Sequence, residues 1–287
     1  MRIICLILVF VLGILTGSSQ VNDIKEKFAL PKSPDNLSES SGIIFFNNKV
    51  ITHNDSGGES KLYEVDVDTG LVTRTVTIAN AKNVDWEDIT HDEHYIYVAD
   101  IGNNSGNRTD LKIYKISKTS YLASTTVNAE IIAFSYSNQV DFSSKVNNNA
   151  WDAEALVSFD DSNLILISKN WTGGATKGYL VSKTAGKYSL SPLATPLSNS
   201  GLITGATYNM LSEKLFLVGY TSLTSPAPLQ PFVWKCEDFI GNDVFSGTNT
   251  QTSLSSTFSF EQTEAITFVN ENNYFMTSEA FSVSIIC

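Results

Sequence analysis

The chain has 287 residues, 30 of them acidic and 19 basic, for a net charge of −11. That balance argues against nucleic-acid backbones and anionic membranes as partners and suits cations. The acids are spread without blocks, and three cysteines exclude a disulfide scaffold.

Arg2 precedes an apolar run from Ile4 to Thr16 and the small residues Gly17, Ser18 and Ser19, the pattern of a cleaved secretory signal over residues 1–20. The run is short of the roughly 20 residues that span a bilayer. Cys5 falls too early to be a lipidated residue. The expectation is a secreted or periplasmic protein without membrane insertion, in which residues 21–287 form a single domain. Ile24–Leu30 reads as a strand with no nearby partner.

From Glu39 onward one pattern recurs: Glu39-Ser40-Ser41-Gly42-Ile43, Asp85-Trp86-Glu87-Asp88-Ile89, Asp152-Ala153-Glu154-Ala155-Leu156, Leu202-Ile203-Thr204-Gly205-Ala206 and Gln262-Thr263-Glu264-Ala265-Ile266. Each copy is followed by a turn and a β-rich run ending in polar residues, such as Val50–Asp55, Ile96–Asp100, Ile165–Lys169, Phe216–Tyr220 and Tyr274–Glu279. Repetition of strand, turn and strand at this period marks a β-propeller. The third motif residues lie 46, 67, 50 and 60 residues apart. A blade takes about 40–45 residues, so the spacing predicts five blades, with six as the alternative if an irregular blade lies between Ile113 and Asn147.

Within the second repeat the predicted strands are Ile89–His91, Tyr95–Ala99, Leu111–Ile116 and Ile131–Tyr136, with a polar loop at Gly102–Asp110. Helix signals are nearly absent. After Glu264 only three strands remain: Ala265–Val269, Tyr274–Ser278 and Val283–Cys287. The fourth is expected from Ile24–Leu30, which would close the ring with an N-terminal strand. Cys236 and Cys287 fall in equivalent strands of neighbouring repeats and are expected as free buried thiols. Trp86 and Trp151 are expected to pack between blades.

Residues two apart in a strand share a face. On that rule the third motif position gathers Ser41, Glu87, Glu154, Thr204 and Glu264 on the channel, and the first position adds Glu39, Asp85, Asp152, Leu202 and Gln262. Six carboxylates on one axis cannot all ionise at ordinary cost, so either some hold protons or a cation sits among them. Glu87, Glu154, Glu264, Asp85, Asp152 and Glu39 are the candidate ligands. An all-oxygen set without Cys or clustered His points to a divalent cation, calcium before zinc. The plainer reading is that these carboxylates accept backbone N–H groups of adjacent blades or cap turns. The second-strand ends put His53, Asn54, Lys169, Tyr220 and Glu279 on the same side as ligand-binding candidates, with Asp55 or Asp100 as a candidate base. No G-x-S-x-G, P-loop or H-E-x-x-H pattern is present.

His53-Asn54-Asp55-Ser56-Gly57, Asp85-Trp86-Glu87-Asp88-Ile89, Ala99-Asp100-Ile101-Gly102-Asn103-Asn104, Asp152-Ala153-Glu154-Ala155-Leu156 and Thr204-Gly205-Ala206 resemble the motif series of exported β-propeller proteins of uncharacterised role from Bacteroidetes and actinomycetes. The resemblance runs from about Leu37 to Glu279. The Glu, small, aliphatic pattern is more distantly similar to phytase-like and gluconolactonase-like propellers, which implies a metal on the channel axis. Only Lys169, Arg108 and Lys112 lie near the motifs as basic residues that could hold a phosphate. The sequence therefore supports a cation-binding propeller whose polar rim meets an extracellular small molecule, glycan or protein. The alternatives are a metal-dependent hydrolase of a lactone or phosphoester and a protein scaffold. A monomer is expected.

Overall fold

The structure is a computed structural model that describes residues 7–12, 24–29, 37, 39–169, 171–199, 201–221, 229–254 and 262–279. Asn170, Val283–Cys287 and with them Cys287 lie outside the described residues, as does the side chain of Glu279.

Ile7–Leu12 (β1) and Ile24–Ala29 (β2) come first in the chain and belong to the last sheet. The first sheet is a meander of Ser40–Phe46 (β3), Lys49–Asn54 (β4), Lys61–Asp66 (β5) and Val72–Ile78 (β6). Asn47 and Asn48 join β3 to β4 at φ 55° and 57°, the left-handed pair that matches the twist of a two-residue hairpin and that Asn tolerates. The second sheet follows with Trp86–His91 (β7), Tyr95–Asp100 (β8) and Lys112–Ser117 (β9). Asp92 shapes its first turn by accepting the backbone N–H of His94 and of Tyr95, both at 2.8 Å.

A short helix, Lys118–Ala123 (α1), and Thr126–Val127 (β10) interrupt this sheet before Glu130–Tyr136 (β11) completes it. β10 pairs in parallel with β6, on the outer edge of the first sheet. The third sheet holds three strands, Ala153–Ser158 (β12), Asn163–Ser168 (β13) and, after Gly174–Thr176 (β14), Gly178–Ser182 (β15). The next strand in sequence, Gly186–Leu190 (β16), leaves this sheet and lies in parallel along β11 of the second. Leu197–Asn199 (β17) pairs with β14. Gly201–Asn209 (β18), Lys214–Thr221 (β19), Pro231–Glu237 (β20) and Thr248–Ser253 (β21) form the fourth sheet. Gln262–Phe268 (β22) and Asn273–Glu279 (β23) belong to the last, whose order is β2-β1-β23-β22.

The result is an all-β, propeller-like stack of sheets. The core lies in seams between consecutive sheets, and the middle strands show why their sequences read as unbroken apolar runs. In β8, Ile96 and Val98 face the first sheet with Trp86 and Leu62, while Tyr97 and Ala99 face the third with Leu156 and Leu166. β13 does the same: Leu164 and Leu166 face the second sheet, Ile165 and Ile167 the fourth. A strand buried on both faces loses the apolar–polar alternation of a half-exposed one. Buried Cys236 is a free thiol in the seam between the third and fourth sheets. The innermost strands β3, β7, β12, β18 and β22 lie side by side in that order, and β22 also packs on β3.

The place beside β23, expected for Val283–Cys287, is taken by β1, from within the segment read as a secretory signal. A run of β-branched and other apolar residues suits a strand as well as the apolar core of a leader. No helix among the described residues is long and apolar enough to cross a membrane.

Deleting Val21–Leu30 removes β2 and exposes a strand edge. The deleted chain is expected to melt several degrees lower or to precipitate. A chain beginning at Val21 lacks β1, on which β2 depends for its pairing, and so takes both strands from the sheet. An unchanged midpoint after the first deletion would show that the segment contributes nothing to the sheet.

Candidate functional site

The repeated motif folds into the same irregularity in every innermost strand. Trp86 faces Asp100 and Asp88 faces Ala99, which leaves Glu87 as an extra residue in the ladder. Glu154 and Thr204 are extra in the same way, and Glu264 stands between Thr263, opposite Ser278, and Ala265, opposite Thr277. In β3 the two residues Ser41 and Gly42 stand against His53 alone. Each is a β-bulge, which bends the strand and re-aims the inserted side chain.

Because of the bulges, simple alternation does not place the ten motif residues in two rings. Asp55, Asp85 and Glu87 form one group and Glu87, Asp152 and Glu154 a second, each with carboxylate oxygens within 4.8 Å of one another. Glu87 belongs to both. Glu264 lies near enough to Glu154 and Lys169 to act on their charge. Glu39 is exposed and stands outside both groups. Leu202 is buried with Tyr220 and Leu229 in an apolar cluster.

The hydroxyl members of the expected ring tie strands together. Ser41 Oγ donates to the Glu87 carbonyl at 2.6 Å, and Thr204 Oγ1 donates to the Thr263 carbonyl. The inner strands are in close contact at the next position: a Cβ on Gly42 would sit 2.7 Å from Ile89 N and 2.8 Å from Asp88 Cα. Asp88 occupies this small-residue position in β7 and is 1% exposed. Its Oδ1 accepts from Ile89 N and its Oδ2 from Leu156 N on β12, both at 2.8 Å, and Ala206 N on β18 lies against it as well. Asp88 therefore stitches three inner strands, and burial pushes its carboxyl well above the usual range. Only the mismatch of an Asp among Gly and Ala signalled it in the sequence.

The two acidic groups are balanced differently. Lys169, at the end of β13, bridges Glu154 and is itself 6% exposed. Its ammonium lies 4.7 Å from the Trp171 ring and 6.0 Å from that of Tyr220. Burial alone would lower Lys169, but Glu154 above all, with Tyr220, Glu264 and Asp152, holds it well above its ordinary value. Asp152 accepts from Trp171 Nε1 and from Asn103 N, each at 2.6 Å. No lysine or arginine among the described residues bridges Glu87 or Asp85. Burial first, then the charge of Asp55 and Asp152, raises Asp85 to about 7, while burial and the charge of Glu154 hold Glu87 well above the usual carboxylate range. Glu87 packs directly on the Gly102 backbone, where a Cβ would come within 2.1 Å of Oε1.

Asp100 is fully buried and accepts from Arg108 Nη2 at 2.8 Å and Asp85 N at 3.1 Å, with Lys112 Nζ 3.5 Å from its other oxygen. His53 is also fully buried, with Nδ1 3.0 Å from the Asn54 carbonyl and its ring edge-on to Trp86, and burial draws it down to about 4. Asn83, which the sequence reading passed over, holds the Asp55 turn against the motif: Nδ2 donates to the Asn54 and Asp55 carbonyls at 3.0 and 2.6 Å, and Oδ1 accepts from Trp86 N at 3.2 Å. At the other end of β7, His91 Nδ1 accepts from Lys118 Nζ at 2.9 Å, and burial brings His91 down to about 4 and Lys118 to about 8.

No protein-family model and no curated relative matches the chain. Among solved structures it is similar to hydrazine synthase of Kuenenia stuttgartiensis, at a TM-score of 0.48 and 11% identity over 85% of this chain and 75% of that one. It is also similar to the PQQ-bound aldose sugar dehydrogenase of Streptomyces coelicolor, with a TM-score of 0.40 and 10% identity over 85% and 94%. The tricorn protease gives a TM-score of 0.38 and 13% identity over 79% of this chain and 23% of that one. All three are remote similarities.

Asp88→Ala leaves buried N–H groups on two strands without their acceptor and is expected to cost about 2–4 kcal/mol in denaturant unfolding, with Asp88→Asn costing less. His91 is neutral when folded, so its contribution to stability is present above its unfolded value of 6.5 and is lost as pH falls through about 4, by up to about 3 kcal/mol. Melting curves between pH 7 and 4 should therefore fall less steeply for His91→Gln than for the parent.

Proposed function

We propose that this protein is an exported, five-bladed β-propeller that binds one divalent cation through Asp55, Asp85 and Glu87 and meets an extracellular ligand at the polar rim beside it. The blade count is supported by the contact of each innermost strand with the next and of β22 with β3. The observation that carries the cation is the Glu87 carboxylate, 6% exposed and next to Asp85 and Asp55, with no lysine or arginine among the described residues bridging it. A buried carboxylate without a countercharge either keeps a proton or takes a cation. The donors are all hard oxygens, which favours calcium, and water or a ligand oxygen would complete its six to eight contacts.

Asp55 and Asp85 are partly exposed, so a cation held there faces the rim. That favours, as a second reading, a metal-dependent hydrolase, in which the bound ion polarises the scissile carbonyl or phosphoryl group. The basic residues nearby are committed, Lys169 to Glu154 and Arg108 and Lys112 to Asp100. A lactone therefore suits this site better than a phosphoester.

Calcium should raise the melting midpoint and chelator should reverse it, by roughly 2.7 kcal/mol at a hundred times Kd. Glu87→Gln should abolish the difference. Identical midpoints with calcium and chelator in the parent would remove the cation. Turnover of a lactone panel that Glu87→Gln loses would establish the hydrolase.

A further inference from the structure

The two acidic groups share Glu87 and have nearly the same make-up, three carboxylates with oxygens within 4.8 Å of one another. A carboxylate common to two adjoining cation positions is the arrangement of two-metal centres, where the ions sit about 3.5–4 Å apart. Here the second group already meets a positive charge, on its Glu154 side. The Lys169 ammonium bridges Glu154, with the Trp171 ring 4.7 Å away and the Tyr220 ring 6.0 Å away. Aromatic faces attract a cation at such distances and fix where it sits. Lys169 is 6% exposed, and Asp152, held by Asn103 N and Trp171 Nε1, completes the wall on that side. The Glu87 carboxylate, equally buried, has no hydrogen-bond or ion-pair partner among the described residues and adjoins both positions.

We infer that the centre is a two-cation cage in which Lys169 permanently fills the second position, so that the protein takes one metal ion where its carboxylates could hold two. The inference rests on the reading of Asp55, Asp85 and Glu87 as the site of the first ion. An ammonium supplies one charge and three N–H donors but no open coordination position. Lys169 thus balances Glu154 without offering a second Lewis acid to a ligand. On this view residue 169 decides whether the centre is mononuclear or dinuclear.

The test is the metal content of the full chain, stripped with chelator, reloaded with calcium or manganese, and counted by elemental mass spectrometry and titration calorimetry. One ion per parent chain and two per Lys169→Gln chain are expected, since Gln keeps a donor for Glu154 but removes the charge. Lys169→Met, which still packs on Trp171 and Tyr220, provides the same count should the Gln variant fold poorly. Adding Glu154→Gln to Lys169→Gln should return the count to one. A single ion per chain in both Lys169 variants would overturn the inference and leave the first site standing. No ion on the parent but one on the variants would uphold the second position and remove the first, and no ion on any chain would remove both.

Discussion

The close approach of the innermost strands is the constraint on which the rest of the structure depends. Where Gly42 meets Asp88 and Ile89 there is no room even for a methyl group, so β3 must offer a glycine there. The strand just before that point cannot continue regularly, and the bulge at Glu87, Glu154, Thr204 and Glu264 takes up the extra residue. A bulge turns an inserted side chain out of the alternation of its strand.

Asp88 shows how that demand is met when the small residue is replaced. Its carboxyl spends its oxygens on backbone N–H groups of its own and neighbouring strands. Buried acceptors of this kind hold strands of different sheets in a fixed relation, which apolar seams alone do less specifically. Ser41 and Thr204 act in the same sense through their hydroxyls. The plainer reading of the motif, that its carboxylates accept backbone N–H groups of adjacent blades, describes Asp152, which accepts Asn103 N, and Asp88 acts in the same way, while Glu87 and Asp85 retain a separate electrostatic character.

That character is uneven around the centre. Lys169, Trp171 and Tyr220 line one side, where the acid is matched by an ammonium. On the other side Asp55, Asp85 and Glu87 face one another. Burial and mutual repulsion raise the protonated fraction of Asp85 and Glu87, and a cation would relieve both at once. The asymmetry leaves Asp85 and Glu87 without a bridging lysine or arginine among the described residues, beside the His53–Asp55 turn that Asn83 fastens to their strand.

Much of this was written in the chain itself. The β-rich runs, the Asn47-Asn48 hairpin and the recurrence of the motif determine which segments become strands, because turn chemistry and burial on both faces act over a few residues. The pairing of Asp85 with Glu87 and of Asp152 with Glu154 was equally legible from their spacing. Three-dimensional packing alone decided the rest. That Glu39 stands apart, that Lys169 meets Glu154, that β16 leaves its own sheet for β11 and that β1 lies against β23 all depend on which strands become neighbours. A one-dimensional pattern carries the period of a strand. It does not carry the bulge that breaks the period, because the bulge is set by the crowding of strands distant in sequence.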